Sequence, residues 1–481
     1  MFVPFRDAVF VLLIAALSLV NTRATNSYPI VLVNGFSGWG RDEFSGFRYW
    51  GGIQGDFQNE LTARGYTVYT AAVGPFSSNW DRACELYAII KGGQVDYGKQ
   101  HSATHKHLRF GRNYTGLYTK WGTVNSDGSI NKVHLIGHSM GGQTIRMLAQ
   151  MLAHGTTGAP GEEDPSSHPL FAGGKSWVHS ITTMSAPNQG TTLADGFSVI
   201  GDQVKDLLAG VLNLVGILGT NAETFYDVKL DQWGISSKRS GETLQAYLGR
   251  VFSSSIFDPG FQDVCLWSLS TRGAKEEATW VKTLSDVYYY SYTTVDTFDT
   301  RDVRFRKISL PHPLTMLLVL KPLAVFLGGR YAPDNMKLPT DWQPNDGVVN
   351  SISMASDGVG SVATFTGTSQ LGTWNLLPQL NRLDHLGITG ITLHTQVLEL
   401  YEGHAALLAS LPTTSSARRL QNSSIEAAVK LDTAIGDLSV ATASVETKGD
   451  LEALCASPKN AYAQNYCTKM LQSVDTNTVH G

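Results

Sequence analysis

The sequence has few charged residues and no basic excess. Charged side chains make up 16% of its 481 residues, and the formal net charge is −4. No run of lysine and arginine occurs, so the basic surface of a nucleic-acid-binding protein is excluded and no nucleic acid is expected as a partner. Hydrophobic residues reach 42%, which supports a large folded core and argues against extensive disorder.

Long hydrophobic runs are scarce, and the one at the N-terminus is short. Residues 9–20 are apolar, Arg6 precedes them, and the small residue Ala24 follows. This order is typical of a secretory signal peptide, and the run is shorter than the ~20 residues that span a bilayer. We expect residues 1–24 to be a signal peptide and the mature protein to be secreted and extracellular, with no transmembrane anchor after signal removal. A retained anchor helix is the alternative.

Cysteine is also rare, with four residues at positions 84, 265, 455 and 467. An exported protein can form disulfides, and four cysteines allow three full pairings. Cys455 and Cys467 lie close together in the tail, so they are the predicted bridge. Cys84 can instead be a buried thiol, because free cysteine behaves as a small hydrophobic residue. The pairing of Cys84 and Cys265 therefore stays open.

Strand-like runs alternate with helical patterns through much of the chain. Residues 28–33, 65–73 and 132–137 are apolar on both faces, which is typical of buried parallel strands. Residues 142–154 show a helical pattern, and further strand candidates lie at 177–184 and 287–294. This alternation predicts an α/β protein with a mostly parallel sheet and helices on both faces.

Three segments depart from that pattern. Residues 75–112 are rich in glycine, histidine and aromatic residues and indicate an insertion that is not held by a large core. Residues 192–220 are amphipathic to apolar, which suits either a core helix or a mobile lid over a lipid site. From residue 412 the composition shifts to serine, threonine and alanine. We therefore expect one main domain over 25–411 and a low-complexity linker with a C-terminal appendage over 412–481.

A G-x-S-x-G pattern at residues 137–141 lies between a predicted strand and a predicted helix. In this context the pattern is the nucleophile elbow of the α/β-hydrolase fold, and Ser139 is the candidate nucleophile. Glycines flank the serine because the sharp turn brings strand and helix too close for a Cβ atom. A plain glycine-rich turn is the alternative.

The triad of this fold follows the order serine, acid, histidine. His385 is the candidate base, and Asp346 lies 39 positions before it in a turn-like stretch. Asp346 would orient the imidazole and stabilise its protonated form. Three other acids could fill the same place from the pattern alone: Asp341, Asp357 and Asp384.

Residues 34–40 follow the first strand, where such hydrolases supply a second oxyanion donor. We therefore assign the backbone N–H groups of Phe36 and Met140 to an oxyanion hole. A glycine-rich turn at the strand exit would show the same pattern without this chemistry.

These residues and several other blocks resemble the thermoalkalophilic bacterial lipases, which are related to the staphylococcal lipases. The blocks lie at 36–41, 49–52, 72–85, 92–98, 229–234, 345–350 and 384–386. The similarity is dense over 28–150, weaker to about 410, and absent from the tail. It implies that Asp346 is the triad acid and that the protein is a secreted triacylglycerol lipase acting at an oil–water interface through an acyl-enzyme. A short-chain carboxylesterase, a phospholipase and a catalytically inactive lipid-binding protein are the alternatives.

The resemblance also implies a structural zinc ion. The family's four ligand positions correspond to Asp81, His101, His107 and Asp231. Two histidine nitrogens and two carboxylates suit tetrahedral zinc, and four protein ligands leave no open position for catalysis. Such an ion would cross-link residues 75–112 to the rest of the main domain. Spacing alone would instead pair His101 with His105 on one helical face.

Two departures from the family bear on calcium and on the oxyanion loop. The family binds calcium with two carboxylates after the catalytic histidine, and those positions are Gly387 and Thr392 here. Calcium prefers several charged oxygen ligands, so we predict that this site is absent. The family's strand-exit histidine is Asn34 here, which should change local packing without removing the backbone donor.

Overall fold

The computed structural model describes residues 26–196, 225–258, 260–329, 339–392, 396–413, 421–443, 445–458 and 461–477. Within these residues a central sheet contains seven strands. They are β1 (Ile30–Val33), β2 (Val68–Ala71), β5 (Val133–His138), β6 (Val178–Met184), β7 (Tyr288–Tyr292), β11 (Val362–Thr364) and β12 (Trp374–Leu376). Their order is β11-β12-β7-β6-β5-β1-β2, and each neighbouring pair is parallel. The predicted α/β-hydrolase type of sheet is confirmed.

The remaining strands form short pairs outside the central sheet. They are β3 (Gly93–Asp96) with β4 (Phe110–Tyr114), β9 (Thr297–Arg301) with β10 (Lys307–Pro311), and β8 (Thr294–Val295) with β13 (Leu380–Asn381). The first two pairs are antiparallel and the third is parallel.

Helices cover both faces of the sheet. In chain order they are α1 (Phe57–Ala63), α2 (Asn79–Lys91), α3 (Lys99–His105), α4 (Met140–His154), α5 (Thr192–Asp195), α6 (Leu244–Phe252), α7 (Cys265–Leu269), α8 (Thr271–Glu277), α9 (Lys321–Gly328), α10 (Leu398–Ser410), α11 (Gln421–Ala443), α12 (Lys448–Leu454) and α13 (Ala461–Asn477). None of these helices, within the ranges described, has the length and apolarity required to cross a membrane.

The two faces of β1 show why the strand sequence is apolar throughout. Ile30 and Leu32 belong to one buried cluster, whereas Val31 and Val33 belong to a second. Successive side chains of a strand point to opposite faces, so a sheet covered on both sides needs apolar residues at every position. This packing holds the carboxyl ends of the strands, where the candidate site lies, on a rigid base.

Residues 75–112 are only partly an addition to the body. Helix α2 is buried along almost its whole length, and Leu86 and Ile90 belong to the second core cluster. The expectation of an insertion without a large core is therefore wrong for 79–91. The sequence hid this helix because its buried face also carries Asp81, Arg82 and Glu85, which break the apolar pattern.

The tail is not merely an appendage. Helix α11 places Leu431 and Ile435 in the first core cluster together with Leu407 of α10. Burying an aliphatic side chain of this size contributes roughly 1.5–3 kcal/mol, so this helix stabilises the main domain. The predicted bridge between Cys455 and Cys467 is confirmed.

The other two cysteines, Cys84 and Cys265, are buried free thiols. The predicted signal peptide, 1–24, and residues 197–220 of the predicted lid lie outside the described residues.

Candidate active site and candidate metal centre

Ser139 lies in a sharp turn between β5 and α4. Its backbone angles are φ 55° and ψ −132°, a combination that non-glycine residues seldom adopt. A Cβ on Gly137 would lie 2.4 Å from the carbonyl carbon of Gly141, and a Cβ on Gly141 would lie 2.4 Å from the carbonyl oxygen of Val33. Only glycine fits at both positions. The local sequence thus builds the strained turn that presents the serine.

Three side chains form one hydrogen-bonded line at the end of the sheet. The Nε2 atom of His385 lies 2.9 Å from Oγ of Ser139, and its Nδ1 atom lies 2.8 Å from Oδ2 of Asp346. All three residues are buried. A neutral imidazole that donates from Nδ1 to the carboxylate leaves Nε2 free to accept the serine proton. The arrangement can therefore activate Ser139 as a nucleophile.

The Asp346 carboxylate is held by its own turn and by β8. Its Oδ1 accepts hydrogen bonds from the N–H groups of Val348 and Val349, at 3.1 and 2.9 Å. Its Oδ2 also accepts one from Thr294 Oγ1 at 2.8 Å, and the His385 N–H donates to the Asp346 carbonyl oxygen at 2.9 Å. These bonds fix the carboxylate relative to the imidazole.

The three other acids from the sequence do not bond to the His385 ring. Asp357 pairs with Arg146 at 3.3 Å, and Asp341 is exposed. Asp384 accepts from the N–H groups of Leu317 and Gly387. Burial raises the pKa of Asp384 to about 6, because its charged form has lost water.

The loop after β1 passes directly beside the serine. A Cβ on Gly35 would lie 2.6 Å from the Cβ of Ser139. Phe36 comes next, and within the described chain its N–H has no hydrogen-bond acceptor. The same holds for the N–H of Met140, the first residue of α4, where helices leave such groups unpaired. Two free donors beside a nucleophile can stabilise an oxyanion.

A chain of hydrogen bonds that the sequence analysis missed joins this loop to His385. The Gly35 N–H donates to Tyr49 Oη at 2.9 Å, and Tyr49 Oη lies 2.5 Å from His138 Nδ1. The other ring nitrogen of His138 lies 2.9 Å from the carbonyl oxygen of His385. Burial holds the pKa of His138 well below its usual range, so the ring is neutral. No local pattern identifies these roles, because the partners are far apart in sequence.

Arg82 is a further residue whose role the sequence analysis missed. Its buried guanidinium donates to the carbonyl oxygens of Asn34 and Gly74, and its Nε donates to Thr144 Oγ1 at 2.8 Å. Burial lowers the pKa of Arg82 to about 10, yet at neutral pH it stays charged. It connects the loop after β1 with α4, the two elements that flank Ser139.

Four side chains converge at a candidate metal centre: Asp81, His101, His107 and Asp263. Their possible ligand atoms all lie within 4.8 Å of one another. Nε2 of each histidine lies 3.2–3.3 Å from Asp263 Oδ2, and His101 Nε2 lies 3.2 Å from Asp81 Oδ1. None of these nitrogens or these two carboxylate oxygens has a hydrogen-bond partner, although all are buried.

The surroundings of the cluster favour a cation. His107 Nδ1 lies 2.8 Å from the Leu108 carbonyl oxygen, so Nδ1 carries the proton and Nε2 is free to bind metal. Gln232 donates to the second oxygen of Asp81 at 2.9 Å. Burial alone would lower the pKa of His101, but Asp263 and Asp81 raise it to about 10. Two nitrogens and two carboxylates match the donor set of a closed zinc site.

The structure does not bring Asp231, the predicted fourth ligand, into this cluster. Its carboxylate pairs with Arg112, which also binds Asp227, and its side chain is 44% exposed. Asp231 begins a short turn that directs the next residue, Gln232, toward Asp81. Asp263 occupies the fourth place in the cluster. The Cys265 N–H bonds to the Phe76 carbonyl oxygen, which brings the segment with Asp263 to the start of α2. Nothing in the local sequence marks Asp263.

The spacing of His101 and His107 follows from the end of α3. The helix stops at His105, and Lys106 adopts the left-handed conformation at φ 65°. The His107 N–H then bonds to the Ser102 carbonyl oxygen at 3.1 Å, which turns the chain back toward His101. His105 lies beside His101 but is not part of the cluster.

Comparison with known proteins identifies related sequences. A family model described as "Lipase-like, C-terminal domain" matches residues 26–406. A lipase of Staphylococcus epidermidis is 33% identical over 379 residues, which cover 76% of this chain and 50% of that protein. A lipase of Staphylococcus hyicus is 33% identical over 376 residues, which cover 76% of this chain and 54% of that protein. The chain thus spans about half the length of the curated relatives it matches.

Solved structures show the same architecture. Lipase 1 from Pelosinus fermentans gives a TM-score of 0.72 at 46% identity and covers 81% of this chain and 100% of that one. EstA from Clostridium botulinum gives a TM-score of 0.71 at 40% identity, and the match covers 83% of this chain and 91% of EstA. The structure of the Staphylococcus hyicus lipase gives a TM-score of 0.61 at 29% identity, and the match covers 88% of this chain and 98% of that one.

Proposed function

Because the chain belongs to the family described as "Lipase-like, C-terminal domain", we propose that it is a lipase that hydrolyses carboxylic esters through an acyl-enzyme. The observation that carries the proposal is the unbroken line of hydrogen bonds from Ser139 through His385 to Asp346. The similarity to proteins named lipase supports lipid esters as substrates. Within that class we propose long-chain acylglycerols.

In the first half of the reaction, Ser139 Oγ attacks the ester carbonyl carbon while His385 Nε2 takes its proton. Asp346 keeps the imidazole in the tautomer that accepts at Nε2 and stabilises the positive charge that forms. The N–H groups of Phe36 and Met140 donate to the developing oxyanion. His385 then gives its proton to the leaving alcohol, and the acyl group stays on Ser139.

In the second half, His385 removes a proton from water, and the water oxygen attacks the acyl carbon. The same two N–H groups stabilise the second oxyanion. His385 returns the proton to Ser139 Oγ as the fatty acid leaves. Because charge develops and disappears twice at one point, fixed donors there lower both barriers without reorganisation.

The metal centre has a structural role in this proposal. Asp81, His101, His107 and Asp263 would hold zinc, which would cross-link α2, α3 and the segment before α7. We also propose that the protein is secreted, as the apolar residues 9–20 favour.

Labelling with a fluorophosphonate tests the nucleophile, and a panel of p-nitrophenyl esters from short to long tests the substrate class. Ser139→Ala should abolish labelling and reduce turnover about a millionfold. Labelling of the Ser139→Ala protein at wild-type rate would overturn the assignment. Activity confined to short soluble esters would favour a carboxylesterase, and hydrolysis of phospholipids alone would favour a phospholipase.

The acid is tested by two matched variants. Asp346→Asn should lower kcat about ten-thousandfold, because the amide favours the wrong histidine tautomer. Asp384→Asn changes the neighbouring buried carboxylate, which bonds to backbone N–H groups rather than to the imidazole, and should lower kcat far less. Equal losses in two proteins of unchanged fold would contradict the proposed role of Asp346.

A further inference from the structure

The turn between β9 and β10 exposes large apolar side chains. In residues 302–306, which we call the hairpin tip, Val303 is 97% exposed and Phe305 is 78% exposed. Phe298 on β9 is 41% exposed. Exposure of these apolar side chains to water is unfavourable, and contact with an apolar phase would remove that free-energy cost.

The hairpin tip is a structured turn. The carboxylate of Asp302 accepts hydrogen bonds from the N–H groups of Arg304 and Arg306, at 2.8 and 2.9 Å. Arg301 donates to the Phe305 carbonyl oxygen at 2.8 Å. Phe305 itself has φ 61°, a conformation that is unfavourable for a bulky residue. The turn therefore holds strain while it keeps the ring pointing away from the core, and such strain is typical of functional segments.

The hairpin has the opposite charge to the protein as a whole. Residues 298–307 contain four cationic and two anionic side chains, a net charge of +2, whereas the whole chain carries −4. Arg304 is exposed and forms no ion pair among the described residues. Apolar side chains interleaved with arginine suit a surface that is apolar inside and anionic outside.

The hairpin also starts beside Asp346, the proposed carboxylate of the triad. Thr297, the first residue of β9, bonds through Oγ1 to both the N–H and the carbonyl oxygen of Asn345, the neighbour of Asp346. Beyond Thr297 the strand extends about 15 Å before the tip, at about 3.3 Å per residue. A surface bound at the tip is therefore tethered close to the site.

We propose that the hairpin tip docks the protein onto a lipid ester surface that carries fatty-acid carboxylates. This inference rests on the proposed function, since ester hydrolysis releases those carboxylates into the substrate surface. Val303 and Phe305 enter the apolar layer, and Arg304 faces the carboxylates. Docking strengthens as product accumulates, because each released carboxylate adds negative charge at the surface.

Co-sedimentation with phosphatidylcholine vesicles, prepared with and without oleate, tests the proposal. All proteins carry Ser139→Ala so that no lipid is consumed. We expect the parent protein to bind oleate vesicles more tightly than plain ones. Val303→Ser with Phe305→Ser should reduce binding to both about tenfold or more. Arg304→Glu should reduce binding to oleate vesicles more than about fivefold and leave plain vesicles nearly unchanged.

Matched controls change exposed residues elsewhere. Val124 is 68% exposed, so Val124→Ser controls for lost apolar surface, and Lys120→Glu makes the same charge change as Arg304→Glu at another exposed site. Both should bind like the parent. Binding by the tip variants at the parent level, or equal losses in tip and control variants of unchanged melting temperature, would overturn the proposal.

Activity on a soluble short-chain ester, measured with Ser139 restored, separates the two proposals. Hydrolysis by all tip variants at the wild-type rate, together with lost vesicle binding, supports docking by the tip. Unchanged vesicle binding with intact hydrolysis overturns the docking inference alone. Absence of any ester hydrolysis in the wild-type protein overturns the proposed function instead.

Discussion

The His138 ring donates a hydrogen bond from Nε2 to the backbone carbonyl oxygen of His385, at 2.9 Å. A carbonyl oxygen only accepts, so the proton of the neutral ring must be on Nε2 and Nδ1 must accept from Tyr49 Oη. Since Tyr49 Oη in turn accepts from the Gly35 N–H, one line of bonds links the loop beside Ser139 to the backbone of His385. The residue next to the candidate nucleophile thus positions the candidate base.

His138→Phe should lower kcat between about tenfold and a hundredfold, because small displacements of a catalytic group are costly. KM for a soluble ester should change little, since the His138 ring bonds to Tyr49 and to the His385 carbonyl oxygen and not to Ser139 Oγ. Tyr49→Phe removes the next bond of the line but keeps the bond to His385, so its loss of kcat should be smaller. Steady-state kinetics on both variants, with melting curves, check this. A larger loss for Tyr49→Phe would contradict the positioning role of His138.

Removal of zinc should destabilise the protein more than it slows turnover at room temperature. A metal that binds only the folded state adds to the free energy of unfolding. Asp263→Asn should abolish stoichiometric zinc binding and lower the melting temperature by about 5–10 °C. Metal analysis of protein purified without chelators, together with melting curves, provides the measurement.

Asp231→Asn is the matched control for that experiment, because Asp231 pairs with Arg112 at a partly exposed site. It should retain stoichiometric zinc. Zinc lost from Asp231→Asn but kept by Asp263→Asn would support the ligand set implied by the family resemblance and refute the cluster with Asp263 as the zinc site.

Acid should destabilise the protein through His404. Its ring bonds to Thr182 and Tyr292, and burial lowers its pKa to about 3. The unfolded chain takes up a proton near the ordinary pKa of 6.5, whereas the folded state does not, so stability is lost as pH falls below about 6.5. The loss reaches about 5 kcal/mol when pH approaches the folded pKa.

Denaturant unfolding between about pH 4 and 7 measures this dependence. The free energy of unfolding of the His404→Gln protein should depend less steeply on pH than that of the wild type. His154→Gln, which changes an exposed histidine at the end of α4, should keep the wild-type slope. An unchanged slope in His404→Gln would assign the acid sensitivity to other groups.

Calcium should neither activate the protein nor raise its melting temperature. The loop after His385 offers Gly387 and Thr392 in place of two carboxylates, and buried Ile388 and Ile391 pack it into the core. Melting curves with calcium and with a calcium-selective chelator test this. A stabilisation by micromolar calcium that Asp296→Asn removes would show that this buried carboxylate forms another site.

The sequence predicted the elements that depend on local chemistry. The sheet follows from strands apolar on both faces, and the turn at Ser139 follows from Gly137 and Gly141, whose missing Cβ atoms allow the close approach of strand and helix. Helix α2 escaped prediction because its polar residues are buried by partners distant in sequence, as the bonds of Arg82 to Asn34 and Thr144 illustrate.

Tertiary structure alone decided which of several equivalent acids meets each histidine. From the pattern, Asp346 and Asp384 were both candidates beside His385, and only the fold shows that Asp384 bonds to backbone N–H groups while Asp346 faces the ring. Likewise Asp263, not Asp231, reaches His101. Strand and turn propensities act over a few residues, whereas the position of a carboxylate depends on how distant segments pack, so the sequence by itself determined the nucleophile turn and only packing selected its partners.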